Sequence, residues 1–124
     1  MALSESSIRL LRSAKDSILT AEEIFELHKE RTGIVAYHIS QYVEKSIESK
    51  LIELDIAYPR THNILTLLEL LPNKAISKRY VWHADTLTSF SHAPCYDDML
   101  PTVQSVREVL AYAKYIVDEA SKIE

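Results

Sequence analysis

Apolar residues recur at steps of three and four along most of this chain, which is the spacing of one face of an α-helix. The first such stripe follows Ser4, whose hydroxyl group is suited to capping a helix, and continues to about Glu30. A second capping pattern, Thr20 with Glu23, lies inside the stripe and would suit the start of a new helix. Because the stripe passes that point in phase, we predict one long helix, with its apolar face formed by Leu11, Ala14, Ile18, Ala21, Phe25 and His28.

A second long helix is predicted from Ile34 to Ile56. The segment "RTG", which contains the only glycine, separates it from the first helix. Pro59 is expected to stop it, because the residue before a proline is pushed out of helical geometry. Its apolar residues lie mostly four apart and drift slowly around the axis, so polar neighbours should share the buried side. That side is predicted to contain Val35, Tyr42, Val43, Ser46, Ile47, Ser49, Leu51 and Leu54, with Ile39.

Three further helices complete the pattern. Thr61 is the predicted N-cap of a short helix that Pro72 closes. A fourth helix is predicted from Lys74 to Phe90, and Pro101 should pre-set the turn into the last one. The apolar positions of these helices are Ile64, Leu67, Leu68 and Leu71, then Ile76, Tyr80, Ala84 and Leu87, and finally Val103, Val106, Leu110, Ala113, Val117 and Ala120.

These elements predict an all-α protein, an antiparallel up-and-down bundle of four to five helices joined by short loops. No segment alternates between apolar and polar residues as a strand would. With 124 residues, one glycine and no linker, the chain is expected to form a single domain over residues 1–124.

Composition narrows the function. There are 14 basic and 18 acidic residues, a net charge of −4, so a general nucleic-acid-binding surface is not predicted. Cys95 is the only cysteine, which favours a reducing compartment, and we expect a cytoplasmic protein. The most apolar run, "ILTLLELL", is too short to span a membrane, and no leader segment is expected. The histidines are scattered, so no metal site and no cofactor are predicted, and His28 is expected to be a core histidine.

Residues 41–71, "QYVEKSIESKLIELDIAYPRTHNILTLLELL", carry a recognisable pattern. A Gln is followed by Glu-Lys, then by small and apolar residues, a short loop, and Thr-His before a Leu-rich helix. The segment resembles the central signature of the HEPN family, the higher-eukaryote and prokaryote nucleotide-binding domains. The residues that fall on the pattern are Gln41, Glu44, Lys45, Ile47, Thr61, His62, Ile64, Leu67 and Leu68.

The resemblance implies an up-and-down helical bundle, usually a homodimer. It also implies that the protein is the accessory partner of a minimal nucleotidyltransferase, encoded with it in a toxin–antitoxin-like prokaryotic operon. The accessory partner would bind a nucleotide or RNA. The alternatives are a metal-independent ribonuclease toxin and a helical interaction module without a ligand. We favour the accessory partner over an enzyme.

Four residues are the candidates for contacting a nucleotide or phosphate: Lys45, Arg60, His62 and His92, predicted to line a groove at one end of the bundle. In the ribonuclease alternative His62 or His92 moves the proton of a ribose 2′-hydroxyl, and Arg60 stabilises charge on the phosphoryl oxygens. A structural role for His62, locking the second and third helices together, is favoured over a ligand contact. Glu44, if it points inward, needs His62 or Arg60 as a partner, although a solvated helical face is the simpler explanation.

Two departures from the family pattern affect phosphate binding. Many relatives have a second Lys where this chain has Glu48. Many also have Arg-Tyr-Pro before the last helix, where the aligned residues here are His92, Ala93 and Pro94, so a permanent guanidinium is lost. The ribonuclease spacing of Arg, then four to six residues, then His occurs once, from Arg31 to His38, and a chain of this composition produces it readily by chance.

Overall fold

The computed structural model describes residues 4–92 and 100–124, in which all the regular structure is helical. Of the residues discussed above, Ala93, Pro94 and Cys95 lie outside the described part. The helices are Glu5–Leu27 (α1), Thr32–Glu53 (α2), Ile64–Glu69 (α3), Lys74–Arg79 (α4), Val81–Phe90 (α5) and Val103–Ser121 (α6). The predicted all-α bundle is confirmed. It has six helices within the described residues because the predicted fourth helix is divided.

The first helix is continuous, as its unbroken stripe predicted. Ser4 caps it, and its hydroxyl oxygen accepts a hydrogen bond from the Ser7 N–H at 3.1 Å. Thr20 is not a cap, because its hydroxyl group donates to the Asp16 carbonyl oxygen inside the helix. The helix ends at Leu27, about one turn early, and His28 is its exposed C-terminal cap. The prediction that His28 is a core histidine is therefore wrong.

The residues that begin and end α2 differ from those predicted. Gly33 lies buried in the first turn of α2 and does not break a helix. At the other end Asp55 adopts the left-handed conformation, with φ 60°. The Ile56 N–H then bonds to the Leu51 carbonyl oxygen at 2.8 Å, which is the pattern of a Schellman turn. The helix has thus ended several residues before Pro59.

In the second half of the chain the helix caps and helix bounds also differ from those predicted. Asn63 caps α3, because its side-chain oxygen accepts from the Thr66 N–H at 3.0 Å, whereas the predicted cap Thr61 accepts from the Asn63 N–H. The predicted helix from Lys74 to Phe90 bends at Tyr80, whose φ of −111° and ψ of 22° lie outside helical values. The predicted apolar side of that segment is nevertheless buried.

The second helix forms the centre of the bundle. It packs against α1, α3, α5 and α6, and it is buried on most of its circumference. Its predicted inner positions Val35, Ile39, Val43, Ile47 and Leu51 are fully buried, and Ser46 and Ser49 are buried beside them. Tyr42 and Leu54, also predicted there, are only partly buried. Because α2 is surrounded, only two of its residues, Ile34 and Tyr37, are exposed.

Small polar residues join α1 to α2. The Ser7 and Ser49 hydroxyl oxygens lie 2.6 Å apart in the interior. The Ser7 hydroxyl oxygen also lies 3.2 Å from the Ser49 carbonyl oxygen, and the Ser49 hydroxyl oxygen 3.0 Å from the Ser7 carbonyl oxygen, so each hydroxyl group has a bonding partner across the contact. Further along the same contact the Lys45 ammonium group donates to the Ser13 hydroxyl oxygen at 2.8 Å. These bonds satisfy polar groups that burial would otherwise leave without partners.

Among the described helices, none combines the length and the apolar character that crossing a membrane requires.

Candidate functional site

The loop between α2 and α3 brings His62 against the side of α2. The Nδ1 atom of His62 lies 3.0 Å from Oε1 and 3.2 Å from Oε2 of Glu44. The Glu44 side chain is 8% exposed, while that of His62 is 64% exposed. The favoured explanation of Glu44 as part of a solvated helical face is therefore wrong. The structure shows the alternative, an inward Glu44 with His62 as its partner.

A second donor completes the environment of the Glu44 carboxylate. The Gln41 amide group, one turn earlier on α2, donates to Oε2 at 3.2 Å. A buried carboxylate is stable only when its oxygens accept hydrogen bonds or face a positive charge. Gln41 and His62 together supply these bonds to the Glu44 carboxylate.

The pairing with Glu44 also determines which ring nitrogen of His62 can meet another molecule. When Nδ1 donates its hydrogen to the carboxylate, Nε2 is left at the exposed end of the ring. In the neutral ring Nε2 accepts a hydrogen bond or a proton, and in the charged ring it donates one to an anion. His62 is thus both a structural contact and a candidate for ligand binding.

The structure brings two of the predicted site histidines together. The His62 and His92 rings meet edge to face, with their centroids 6.5 Å apart. A hydrogen bond from the Ile64 N–H to the Thr88 hydroxyl oxygen, at 2.9 Å, ties the start of α3 to α5. This bond holds the loop that carries His62 beside the end of α5, where His92 follows.

Glu48 lies one turn after Glu44 on the same side of α2. Burial raises the pKa of Glu48 to about 7, and the negative charge of Glu44 adds to the effect, while His62 and Lys45 oppose it. Burial also raises the pKa of Tyr58, with Glu48 and Glu44 contributing. The residue that replaces a family lysine is therefore partly neutral near pH 7.

Replacing Glu48 with Gln should flatten the dependence of stability on pH. The pKa of Glu48 is raised from 4.5 to about 7. Between these two pH values the folded chain therefore keeps a proton on Glu48 that the unfolded chain has lost. Stability from this group is present below pH 4.5 and is lost as the pH rises through 7. Glu48→Gln should exceed the wild type by about 1 kcal/mol at about pH 8, after allowance for solvent screening, and match it at low pH.

Chemical denaturation at both pH values measures this difference. Glu23→Gln, which changes an exposed carboxylate on α1, is the matched control and should leave the pH dependence unchanged. An identical pH dependence in Glu48→Gln and the wild type would contradict the prediction.

The other two predicted contacts are placed differently. The Lys45 ammonium group is directed to Ser13 on α1, while the neighbouring Glu44 points to His62. Arg60 is exposed in the loop two residues before His62. Within residues 4–92 and 100–124 its guanidinium group makes no hydrogen bond or ion pair.

The residues of the ribonuclease spacing lie on the other flank of α2. Arg31 is exposed at the start of the helix, and His38 is half-buried. Burial lowers the pKa of His38, Lys45 lowers it further, and Asp16 opposes the change. In the described part of the chain no hydrogen bond joins Arg31 to His38.

Two members of the site were missed by the candidate set. Gln41 stood in the quoted pattern, and its distance of three residues from Glu44 was the available signal for a bond along the helix. Glu48 departs from the family pattern, and the sequence contains no sign of its burial. Across the ranges that the structure describes, no group of three or more His, Cys, Asp or Glu side chains is arranged to hold a metal ion.

The fold and the site define a class: a helical bundle in which a loop histidine pairs with a buried glutamate of the central helix. The chain belongs to the HEPN domain family, whose model matches residues 8–123. Neither the curated proteins nor the solved structures contained a match.

Proposed function

We propose that this HEPN domain binds a nucleotide, or a phosphate group of RNA, beside His62. In this proposal it acts in the cytoplasm as the accessory partner of a minimal nucleotidyltransferase in a prokaryotic two-gene, toxin–antitoxin-like system. One observation carries the ligand site: the exposed His62 ring is held by Glu44 through Nδ1 and lies 6.5 Å from the His92 ring.

The charges around the ring favour a phosphate contact from the loop side. Arg60 and His62 lie in the same exposed loop, and His92 adds a second imidazole group. Charge-assisted hydrogen bonds from such groups are the strong contacts of phosphate sites. The two α2 carboxylates oppose an anion, but Glu44 is paired, and Glu48 has a pKa of about 7. We therefore expect binding to strengthen as the pH falls below 7.

The ribonuclease alternative has its own support. A carboxylate that holds Nδ1 orients an imidazole group so that Nε2 can accept a proton, as general bases require. The Glu44–His62 pair has this arrangement. Under this alternative His62 or His92 takes the proton of a ribose 2′-hydroxyl during in-line attack, and Arg60 stabilises the phosphoryl charge.

Binding of ATP and of a short single-stranded RNA, measured in EDTA by calorimetry and fluorescence anisotropy, tests the site. Arg60→Ala and His92→Ala should each weaken binding by about 10-fold, the loss of one charge-assisted contact. Arg60→Ala is the sharper variant, because its side chain supports no bond of the described fold. His28→Ala, which removes an exposed imidazole at the end of α1, is the matched control.

Three outcomes are distinct. Undiminished binding in both Arg60→Ala and His92→Ala would contradict the proposed site. Metal-independent RNA cleavage that disappears in His62→Ala would establish the ribonuclease alternative. The absence of any nucleotide or RNA binding by the wild type would favour an interaction module without a ligand.

The partner is tested separately. A nucleotidyltransferase encoded by the neighbouring open reading frame should form a complex with this chain when the two are coexpressed. Size-exclusion chromatography of the purified mixture measures this complex, and separate elution of the two proteins would contradict the partnership.

A further inference from the structure

A cleft lies between α1, α2 and α6, on the side of α2 that faces away from the His62 site. Its wall on α2 includes Tyr42, Ser46 and Glu53. By the helical period of 3.6 residues per turn, these positions lie nearly opposite Glu44 on the helix. The cleft is therefore separate from the ligand site proposed above.

Two adjoining cavities make up the cleft. The smaller has a volume of about 330 Å³ and the larger a volume of about 550 Å³. Both are lined by Val117 and Ser121 of α6, so one cavity continues into the other. The α2 helix rises by about 16 Å from Tyr42, in the larger cavity, to Glu53, in the smaller. The cleft therefore suits an extended molecule.

Lys50 is buried beside the smaller cavity and has no N–H group left for a ligand. The residue is 8% exposed. Its ammonium group donates to the Ser121 and Ile123 carbonyl oxygens, at 3.3 and 2.9 Å, and lies 3.2 Å from Oε2 of Glu53. A lysine carries three N–H groups, and these three acceptors use all of them. Lys50 therefore offers no free donor to an anion in this cavity.

The hydroxyl groups of the cleft also donate their hydrogens inside the protein. Ser46 donates to the Tyr42 carbonyl oxygen at 2.6 Å, and Ser121 donates to the Asp118 carbonyl oxygen at 2.7 Å. A hydroxyl oxygen that has donated its hydrogen can still accept a hydrogen bond. These serines therefore add acceptors, not donors, to the lining of the cleft.

Three carboxylates line the cleft: Glu22, Glu53 and Asp118. Each has a lysine ammonium group between 2.8 and 3.2 Å from one of its two oxygens. The other oxygen of each has no hydrogen-bond or ion-pair partner among the residues that the structure describes. Two lysines, Lys50 and Lys114, also line the cleft, so its lining carries one more negative charge than positive.

The Tyr42 hydroxyl group reports the sign of the charge in the larger cavity. Burial raises the pKa of Tyr42, and the negative charges of Glu22 and Asp118 raise it further. Both acids therefore act within the cavity although each has a lysine nearby. The Tyr42 and Tyr115 rings also line it, and the faces of aromatic rings attract ammonium groups. These features favour a positively charged occupant.

We propose that this cleft binds a linear aliphatic polyamine. Such molecules, like the lysine side chain, stay protonated at neutral pH. Their ammonium groups donate to the second oxygens of Glu22, Glu53 and Asp118, and their methylene segments pack between the side chains of Leu11 and Ile18. A compact cation such as a metal ion would leave these apolar walls unused, whereas an anion would meet the surplus of carboxylates.

Calorimetry with spermine, in about 0.1 M salt to screen the general surface charge, tests the site. We expect saturable binding of one spermine per chain, and weaker binding of the shorter putrescine. Asp118→Asn, which removes a charge while keeping the shape, should weaken spermine binding by about 5-fold. Asp85→Asn removes an exposed acid from α5, outside the cleft, and is the matched control that should leave binding unchanged.

Ser121→Phe tests the position without changing any charge. Ser121 is exposed at the end of α6 and lines both cavities. A phenyl group there should block the passage between them and weaken spermine binding by about 10-fold or more, because the clash excludes an extended ligand. Circular dichroism of the variant verifies that its helices are intact.

The proposal has clear contrary outcomes. It would be overturned by the absence of saturable spermine binding in the wild type, or by equal weakening in Asp85→Asn and Asp118→Asn. Unchanged spermine binding in a folded Ser121→Phe variant would overturn it as well. Tighter binding of a linear dicarboxylate, adipate, than of spermine would assign the cleft to anions and contradict the proposed ligand class.

Discussion

Replacing Ile47 with Ala is expected to lower the free energy of unfolding by about 2–5 kcal/mol, the range for large-to-small changes in a packed core. Ile47 is fully buried in the middle of α2, the helix that packs against four others. Removing its methyl and methylene groups loses their burial and leaves a cavity that a surrounded helix cannot readily collapse to fill. Denaturant unfolding followed by circular dichroism measures the loss.

The matched control is Leu19→Ala on the outer face of α1, where the side chain is 55% exposed. This change should alter stability by no more than about 0.5 kcal/mol. If Ile47→Ala lowered the free energy of unfolding as little as Leu19→Ala, the placement of α2 at the centre of the bundle would be contradicted.

Removing His62 is expected to destabilise the fold as well as the proposed ligand site. His62→Ala leaves the Glu44 carboxylate buried with Gln41 as its only described donor. Breaking a fully buried pair costs several kcal/mol, but His62 is largely exposed, so we expect a loss of about 2 kcal/mol. This is the largest stability effect expected for any residue of the site.

A double-mutant cycle isolates the contact between the two side chains. Glu44→Gln removes the charge but keeps the shape, so Glu44→Gln/His62→Ala should cost about 1–2 kcal/mol less than the two single changes together. Denaturation of all four proteins at neutral pH measures this coupling. Additivity within about 0.5 kcal/mol would show that the hydrogen bond contributes little to stability.

The coupling decides how His62 is to be interpreted. A large coupling energy would mean that His62 mainly holds the α2–α3 loop in place. Its contact with a ligand would then depend on that structural role. The binding variants Arg60→Ala and His92→Ala then separate the two roles, because they remove ligand contacts without removing the partner of Glu44. Comparing them with His62→Ala distinguishes loss of binding from loss of structure.

The bundle could be predicted because each long helix carries its own apolar stripe. Spacing of three and four identifies a buried helical face before any tertiary contact is considered. The His62–Glu44 contact could be predicted because the family pattern links a glutamate in one helix to a histidine at the start of the next. The burial of Glu44 was only the less favoured alternative, because an acid on a helix is more simply explained as solvated.

Other features depend on tertiary contacts, which the spacing of apolar residues along the chain does not reveal. The bend at Tyr80 leaves the apolar stripe intact, so periodicity alone gives no sign of it. Asp55 ends α2 in a left-handed conformation that glycine more often adopts, and the nearby proline was the more obvious signal. His28 shares the phase of the first stripe, but the core does not extend to it.

Local periodicity was sufficient for the order of the long helices and for most of their inner faces, because those properties depend mainly on neighbours along the chain. It did not show the division of the predicted fourth helix. The burial of Glu44, the raised pKa of Glu48 and the burial of Lys50 depend on which helix comes to lie over each side chain. Those relations join residues far apart in sequence, and only the packing of the helices around α2 establishes them.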